Sequence, residues 1–397
     1  MIRLQGEIQA APQQWQRAQQ GLLRQSGGQM LLWRGRAATA LYDAYHVAAH
    51  LRADVEQPEI IMPAMMCTTA AHCARIAGMA ARFADVDAQS GLLTLEHVQA
   101  RTTANTIAVV VIHLFGHTVE IAPIAAWCSA HNILLIEDLA QALGARYPDG
   151  RYAGSVGDMA VYSFNRTKII ETGNGALVAN TPQAAEALQA YLASDASRVS
   201  STAADADRRA QLALSARNLH HGLVSLLRLH SLPVEAVSRA FMAVRASYDA
   251  LYLKDANLDA PLAEAWPQLD SILERRLHLA RIYQAELQGG PWTLLTDYER
   301  SGVCWRFSLL LHPPEKQVAL SEAVRRDGFH VSNLYWPVEQ FFDPADACPN
   351  ADWFARRVLN LWVNQRVDAD YVRRCCDSLR QHAATLLTAD IMPNRAK

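Results

Sequence analysis

The feature that most constrains this 397-residue chain is an alternation, between positions 59 and 138, of short apolar runs with helix-forming stretches. Glu59-Ile60-Ile61-Met62-Pro63, the segment opening Ala81-Arg82-Phe83-Ala84, Ile107 to Ile112 and Ile133-Leu134-Leu135-Ile136 read as strands. Thr68 to Ala80, Leu95 to Ala100 and Ile121 to His131 read as the helices between them. Strands that are apolar along their whole length and are separated by helical crossovers pair in parallel and need cover on both faces. The expectation is an α/β fold with a mostly parallel sheet, in which ligands gather at the carboxyl ends of the strands.

Upstream, Met30-Leu31-Leu32-Trp33 ends at Arg34-Gly35-Arg36 and feeds an Ala-rich helix from Ala37 to Leu51. Past Asn180 the pattern turns mainly helical, and Ser194 to Asp207 reads as an exposed polar loop. A helix with Leu269, Ile272 and Leu273 bridges into a second unit, where Trp305 to Leu311 reads as a strand and Leu320 to Asp327 and Asp368 to Leu387 as helices. The expected division is an N-terminal arm (1–28), a large domain (29–240) and a smaller C-terminal α+β domain (241–397).

Hydrophobic residues at 51% and charged ones at 19% describe a chain with a large core, and a net charge of −2 leaves no footprint for nucleic acid or an anionic membrane. No apolar run approaches the ~18 residues of a membrane span, and the opening lacks the basic start and apolar core of a signal peptide. The seven cysteines are scattered without the paired spacings of a metal site or disulfide framework. A soluble cytoplasmic protein with no resident metal is expected.

The chemistry is concentrated between positions 134 and 176. Glu137-Asp138 closes an apolar strand, Ser163 and Lys168 lie on a strand-to-loop passage, and Gly173-Asn174-Gly175-Ala176 follows directly. An acid, an amine and phosphate donors in this order are the parts that pyridoxal 5'-phosphate (PLP) requires. Asp138 would keep the pyridine nitrogen protonated, and Lys168, in a partly desolvated pocket, would offer its amine as the Schiff-base partner and proton carrier. Ser163 would donate to the phosphate, with the Gly35-Arg36-Ala37 turn adding backbone N–H groups at a helix N-terminus.

These residues resemble the DegT/DnrJ/StrS-type aminotransferases, a PLP fold type I family. The likeness is carried by Glu137-Asp138-Leu139-Ala140-Gln141, Gly157-Asp158, Ser163-Phe164, Thr167-Lys168 and Gly173-Asn174-Gly175-Ala176. It extends through Pro63 to Cys67, Phe83 to Asp87 and His113 to Gly116, and faintly through Gln268-Leu269 and Arg276 into Tyr335-Trp336-Pro337. The resemblance implies a large domain with a seven-stranded-type, mostly parallel sheet covered by helices. It also implies PLP held by Lys168, Asp138 and Ser163, with Gln141 near the ring and its phenolic oxygen. It further implies a homodimer with the active site at the interface, glutamate as amino donor, and a nucleotide-linked keto hexose as acceptor in amino-sugar biosynthesis.

The chain departs from the family pattern at Leu139, Leu143, Asn174 and Ala176. Cys67 stands where many relatives place an aromatic over the pyridine face, and Glu339 where a histidine is common. The segment by which relatives reach the partner's cofactor phosphate is not recognisable before Gln268. Arg306 is a candidate for the donor carboxylate, because a guanidinium matches a carboxylate bidentately; a plain strand-surface cation is the competing reading. Tyr335 and Glu339 complete the candidate substrate residues. Two further readings of the whole stay open: a PLP-dependent keto-sugar dehydratase, against which Lys168 argues, and a non-catalytic PLP- or sugar-binding regulatory homologue.

Overall fold

The computed structural model describes residues 13–194, 261–333, 335–342 and 346–388. The exposed loop expected from Ser194 to Asp207 lies, apart from Ser194, outside the described residues, as does the expected domain boundary at 240/241. Among the described residues no helix is long and apolar enough to cross a membrane.

A seven-stranded sheet forms the larger unit, from β1 (Met30–Arg34), β2 (Glu59–Pro63), β3 (Ala80–Ala84), β4 (Thr106–Ile112), β5 (Leu134–Asp138), β6 (Met159–Ser163) and β7 (Gly175–Ala179). Their order is β1-β7-β6-β5-β4-β2-β3, parallel from β6 through β3, with β7 antiparallel to both β6 and β1. The sequence of β4, TIAVVVI, explains its interior place: it is rich in β-branched residues and buried at every position. Each fully buried aliphatic side chain of this kind contributes about 2 kcal/mol.

Helix α1 (Gln13–Ser26) lies within the expected N-terminal arm, yet it buries Trp15, Ala18 and Leu22 in the core of the large unit. Trp15 meets Trp33 of β1 edge-on, with ring centroids 5.0 Å apart. Helix α2 (Ala37–Leu51) buries Ala37, Ala38, Ala40, Ala44 and Ala48, small side chains that let its axis approach the sheet closely. Helices α3 (Thr68–Ile76), α4 (Leu95–Arg101), α5 (Ile121–Ala130) and α6 (Pro182–Ala193) complete the cover. The start of α6 is fixed by Thr181, whose hydroxyl accepts from Ala184 N at 3.2 Å, with proline in the first turn.

The smaller unit has an antiparallel sheet ordered β10-β11-β9-β8, made by β8 (Trp292–Leu295), β9 (Phe307–Leu311), β10 (Val331–Ser332) and β11 (Val358–Leu361). Helices α7 (Leu269–Leu287), α8 (Gln317–Arg326) and α10 (Ala369–Thr388) accompany it, and α9 (Pro349–Ala355) precedes β11. Its core gathers Leu279, Tyr283, Phe307, Leu309, Cys375 and Leu379. All seven cysteines of the chain are free thiols.

Two carboxylates fasten the units together. Asp85, just past β3, accepts from the backbone N–H of Asn350 at 3.0 Å and of Ala351 at 2.8 Å, supplying α9 with the acceptors its first turn lacks. Asp346 accepts from Phe83 N at 3.3 Å and pairs with Arg101 at 3.1 Å and Arg82 at 3.4 Å.

Candidate active site

The sheet brings the candidate residues to one end. Asp138 terminates β5, and Ser163 terminates β6 opposite Gly175, the first residue of β7. Gly175 in turn faces Arg34, the last residue of β1, from which Gly35 and Arg36 lead into α2. Gly175 is glycine for a steric reason, since a Cβ there would lie 2.3 Å from Ala37 N. The side chain of Arg36, the N-cap residue of α2, makes no capping hydrogen bond, and the helix N-terminus faces this end with backbone donors of the kind that bind anions. The departures at Asn174 and Ala176 leave this packing intact: Asn174 O accepts from Phe164 N at 2.8 Å, and Ala176 is an ordinary ladder residue between Trp33 and Tyr162.

Asp138 is 8% exposed, and its Oδ1 accepts from Ala140 N at 2.8 Å. Burial raises its carboxyl above the usual range, opposed by that hydrogen bond and by the positive charge of Lys168. Lys168 lies in the connection between β6 and β7, with its Nζ 5.7 Å from the centroid of the Trp305 ring. The residue before it, Thr167, has φ of +73°, a strained conformation for a β-branched side chain. Trp305 Nε1 donates to Thr167 O at 2.7 Å, and Arg276 Nη2 donates to Lys168 O at 3.3 Å.

Glu137, the neighbour of Asp138, faces the other side of the sheet and is fully enclosed. It accepts from His113 Nε2 at 3.1 Å, from the Tyr147 hydroxyl, and from the backbone N–H of Gly154 at 2.7 Å, Val156 at 2.8 Å and Gly157 at 2.6 Å. Val119 N donates to His113 Nδ1 at 3.2 Å, so the imidazole proton sits on Nε2, toward Glu137. Burial alone would raise the Glu137 carboxyl, but the hydrogen bonds from His113, Tyr147 and Gly157 hold it below its ordinary value.

The remaining candidates divide. Gln141 Oε1 accepts from Phe115 N at 2.7 Å, which fixes the amide and leaves its NH₂ as the donor end. Cys67 is exposed at the N-cap of α3, and its Sγ donates to Thr69 Oγ1 at 3.3 Å. Tyr335 packs edge-on against Phe115, centroids 5.0 Å apart. Arg306 is 4% exposed and lies between two indoles, 4.5 Å from the Trp305 ring and 4.0 Å from the Trp362 ring. Burial lowers its guanidinium, with Tyr335 acting in the opposite sense. Glu339 sits at the seam between the units, where burial first, then Asp85 and Asp352, push its carboxyl up to about 7. A separate groove of about 870 Å³, lined by His117, Thr118, Tyr147, Leu294, Asp297 and Arg300 among others, contains none of the candidate residues.

The profile of the DegT/DnrJ/EryC1/StrS aminotransferase family matches residues 37–213 and 258–380. The chain belongs to this family. Its members are PLP-dependent transaminases, and the fold described above is the family's fold type I. A GDP-perosamine synthase of Escherichia coli O157:H7 is 30% identical over 135 residues, 34% of this chain and 37% of that protein. The chain therefore aligns to little more than a third of that relative. A dTDP-4-dehydro-2,3,6-trideoxy-D-glucose 4-aminotransferase of Saccharopolyspora spinosa is 25% identical over 329 residues, 81% of this chain and 77% of that protein. The crystal structure of DesI in the presence of its TDP-sugar product superposes with a TM-score of 0.71 at 21% identity, covering 96% of this chain and 88% of that one, a likeness of fold.

In this family member Trp305, unmarked by any motif in the sequence, and Arg276 also reach the site, and Phe115 walls the tryptophan. The Trp305 ring stacks on that of Phe115, centroids 6.2 Å apart and 8° from parallel, and its backbone N donates to Phe115 O at 3.0 Å. Nothing local marks such a tryptophan, because its partners are 138 positions away at Thr167. The buried knot around Glu137 joins residues 10 to 24 positions from it, again with no periodicity to mark them.

Proposed function

We propose that the chain is a PLP-dependent transaminase that takes an amino group from glutamate and delivers it to a keto sugar, with nucleotide-linked hexoses as the acceptor class. It works in the cytoplasm as a homodimer with its site at the subunit interface. One observation carries the reading. A buried carboxylate with a raised protonation range, Asp138, lies within electrostatic reach of Lys168, at the sheet end where Ser163 and the N-terminus of α2 converge.

These residues fit the cofactor chemically. A buried carboxylate that burial destabilises is relieved by a cationic partner, and a protonated ring nitrogen is one. The backbone of Gly35, Arg36 and Ala37 and the Ser163 hydroxyl would hold the phosphate, in the close packing that Gly175 permits. The Gln141 NH₂ would face the ring oxygen, and Cys67 would set its sulfur against the ring face. When bound, PLP supplies an electron sink for the pair left by a departing α-proton. Lys168 Nζ is the amine that binds the cofactor aldehyde and, once displaced by the donor, the base that carries the proton.

On the substrate side, Arg306 would take a donor carboxylate, since a guanidinium enclosed by two indoles lacks water to balance its charge. Tyr335 would border the acceptor. Glu339 would border the substrate side, with a carboxyl raised first by burial and then by Asp85 and Asp352.

The test is borohydride reduction of purified protein followed by peptide mass spectrometry, which is expected to find a pyridoxyl adduct on Lys168. Lys168→Ala is expected to lose the visible absorbance band and to lower glutamate-dependent turnover by roughly 10³-fold. An adduct on another residue would overturn the assignment. A panel of keto sugars offered to the glutamate-treated enzyme, scored by return of the band, would then identify the acceptor.

A further inference from the structure

Thr167 and Phe115 are the two β-branched or aromatic residues near Lys168 with left-handed backbone, at φ of +73° and +61°. Such conformations persist only where surrounding contacts over-determine them. One residue of the smaller unit touches both. Trp305 N donates to Phe115 O at 3.0 Å, its ring lies parallel to the Phe115 ring, and its Nε1 donates to Thr167 O at 2.7 Å. Arg276, 1% exposed, then links the same tryptophan to the lysine, with Nη1 donating to Trp305 O at 3.2 Å and Nη2 to Lys168 O at 3.3 Å. The peptide groups on either side of the Lys168 α-carbon are thus both held by side chains from beyond residue 260.

We infer that Trp305, backed by Arg276, is a positioning residue that keeps Thr167 in its strained conformation and thereby aims the Lys168 amine. The inference rests on the reading of Lys168 as the cofactor lysine, but its physical core, a clip that holds a strained residue, does not. The strain makes Thr167 a spring. Without the indole N–H, the Thr167 peptide can relax toward an ordinary conformation, and the lysine beside it turns with it. A small misplacement of a reacting group is enough to slow chemistry without weakening substrate binding.

The experiment is a double-mutant cycle between Trp305→Phe, which keeps a ring against Phe115 but removes the N–H, and Thr167→Gly, which accepts a positive φ without strain. Trp305→Phe alone is expected to lower kcat by about 10-fold while KM for the donor stays within about 2-fold. It is also expected to move the pH midpoint of the visible band by about one unit. In the Thr167→Gly background, adding Trp305→Phe is expected to lower kcat by no more than about 2-fold. Thermal melting of cofactor-free protein repeats the cycle without any chemistry: the Tm loss from Trp305→Phe is expected to be about 2 °C larger in the Thr167→Gly background, where no strain is released to offset the lost hydrogen bond. Equal losses in both backgrounds, in kcat and in Tm, would overturn the clip. Borohydride-treated wild type with no adduct on Lys168 would instead sink the cofactor reading, and the melting cycle would still decide the clip.

Discussion

Glu137 and Asp138 are adjacent carboxylates on one strand, and they live under opposite conditions. Glu137 is met by every donor its surroundings offer, from His113, Tyr147 and the loop at 154–157, and its charge is held below the ordinary range. Asp138 has a hydrogen bond from Ala140 and is pushed the other way by burial. The strand's alternation sends them to opposite sides of the sheet. Saturation marks a carboxylate that organises the fold; Asp138, its carboxyl raised by burial, is the one proposed to receive a cation.

The largest effect that sharpens this contrast is on turnover. Asp138→Asn is expected to slow the glutamate half-reaction by about 10³-fold while the melting temperature of cofactor-free protein is unchanged or slightly raised. Stopped-flow loss of the visible band and a thermal melt measure the two halves of that statement. Glu137→Gln is expected to do the reverse, costing about 3 kcal/mol of stability because the loop N–H groups lose their charged acceptor. If the two variants fail alike in denaturant titration and in turnover, the contrast is broken.

The smallest effect is a difference in acid behaviour. Glu137 has a folded value below its ordinary 4.5, so the stability it lends is complete above that pH and is lost as the pH falls through the folded value. Asp138 has a folded value above its ordinary 3.8, so it costs stability progressively as the pH rises from there to the folded value, and constantly beyond. Melting curves of cofactor-free protein between pH 3 and 7 are expected to show a shallower acid limb for Glu137→Gln. For Asp138→Asn the advantage over wild type is expected to grow with pH. Parallel curves for both variants would remove the electrostatic distinction.

Much of the large unit was legible in the sequence because its strands announce themselves locally. The β2, β4 and β5 runs each carry an apolar stretch, and helices of the right length separate them. The stretch at 173–176 was harder: it reads as a glycine turn, yet Gly175 opens a strand, and the reason for the glycine is contact with α2, far away in sequence. In the smaller unit β8 and β11 are each only four residues long, too short for an alternation to stand out. At the site, the amine, the acid and the hydroxyl follow a pattern of spacing that survives in one dimension. Trp305, Arg276 and the Glu137 knot depend on tertiary neighbours, and no periodicity encodes those.

The carboxylate fastening at Asp85 and Asp346 has a consequence for how a substrate is received. The segment bearing Tyr335 is tied on one side by the Val338 N–H to Ala64 O at 2.9 Å and, further along, by the grip of Asp85 on Asn350 and Ala351. Ordering that wall is therefore a cost met when the chain folds, and the proposed acceptor would be spared it. Loosening Asp85 would transfer that entropy to the binding step and weaken affinity from a distance, with no contact to the ligand changed.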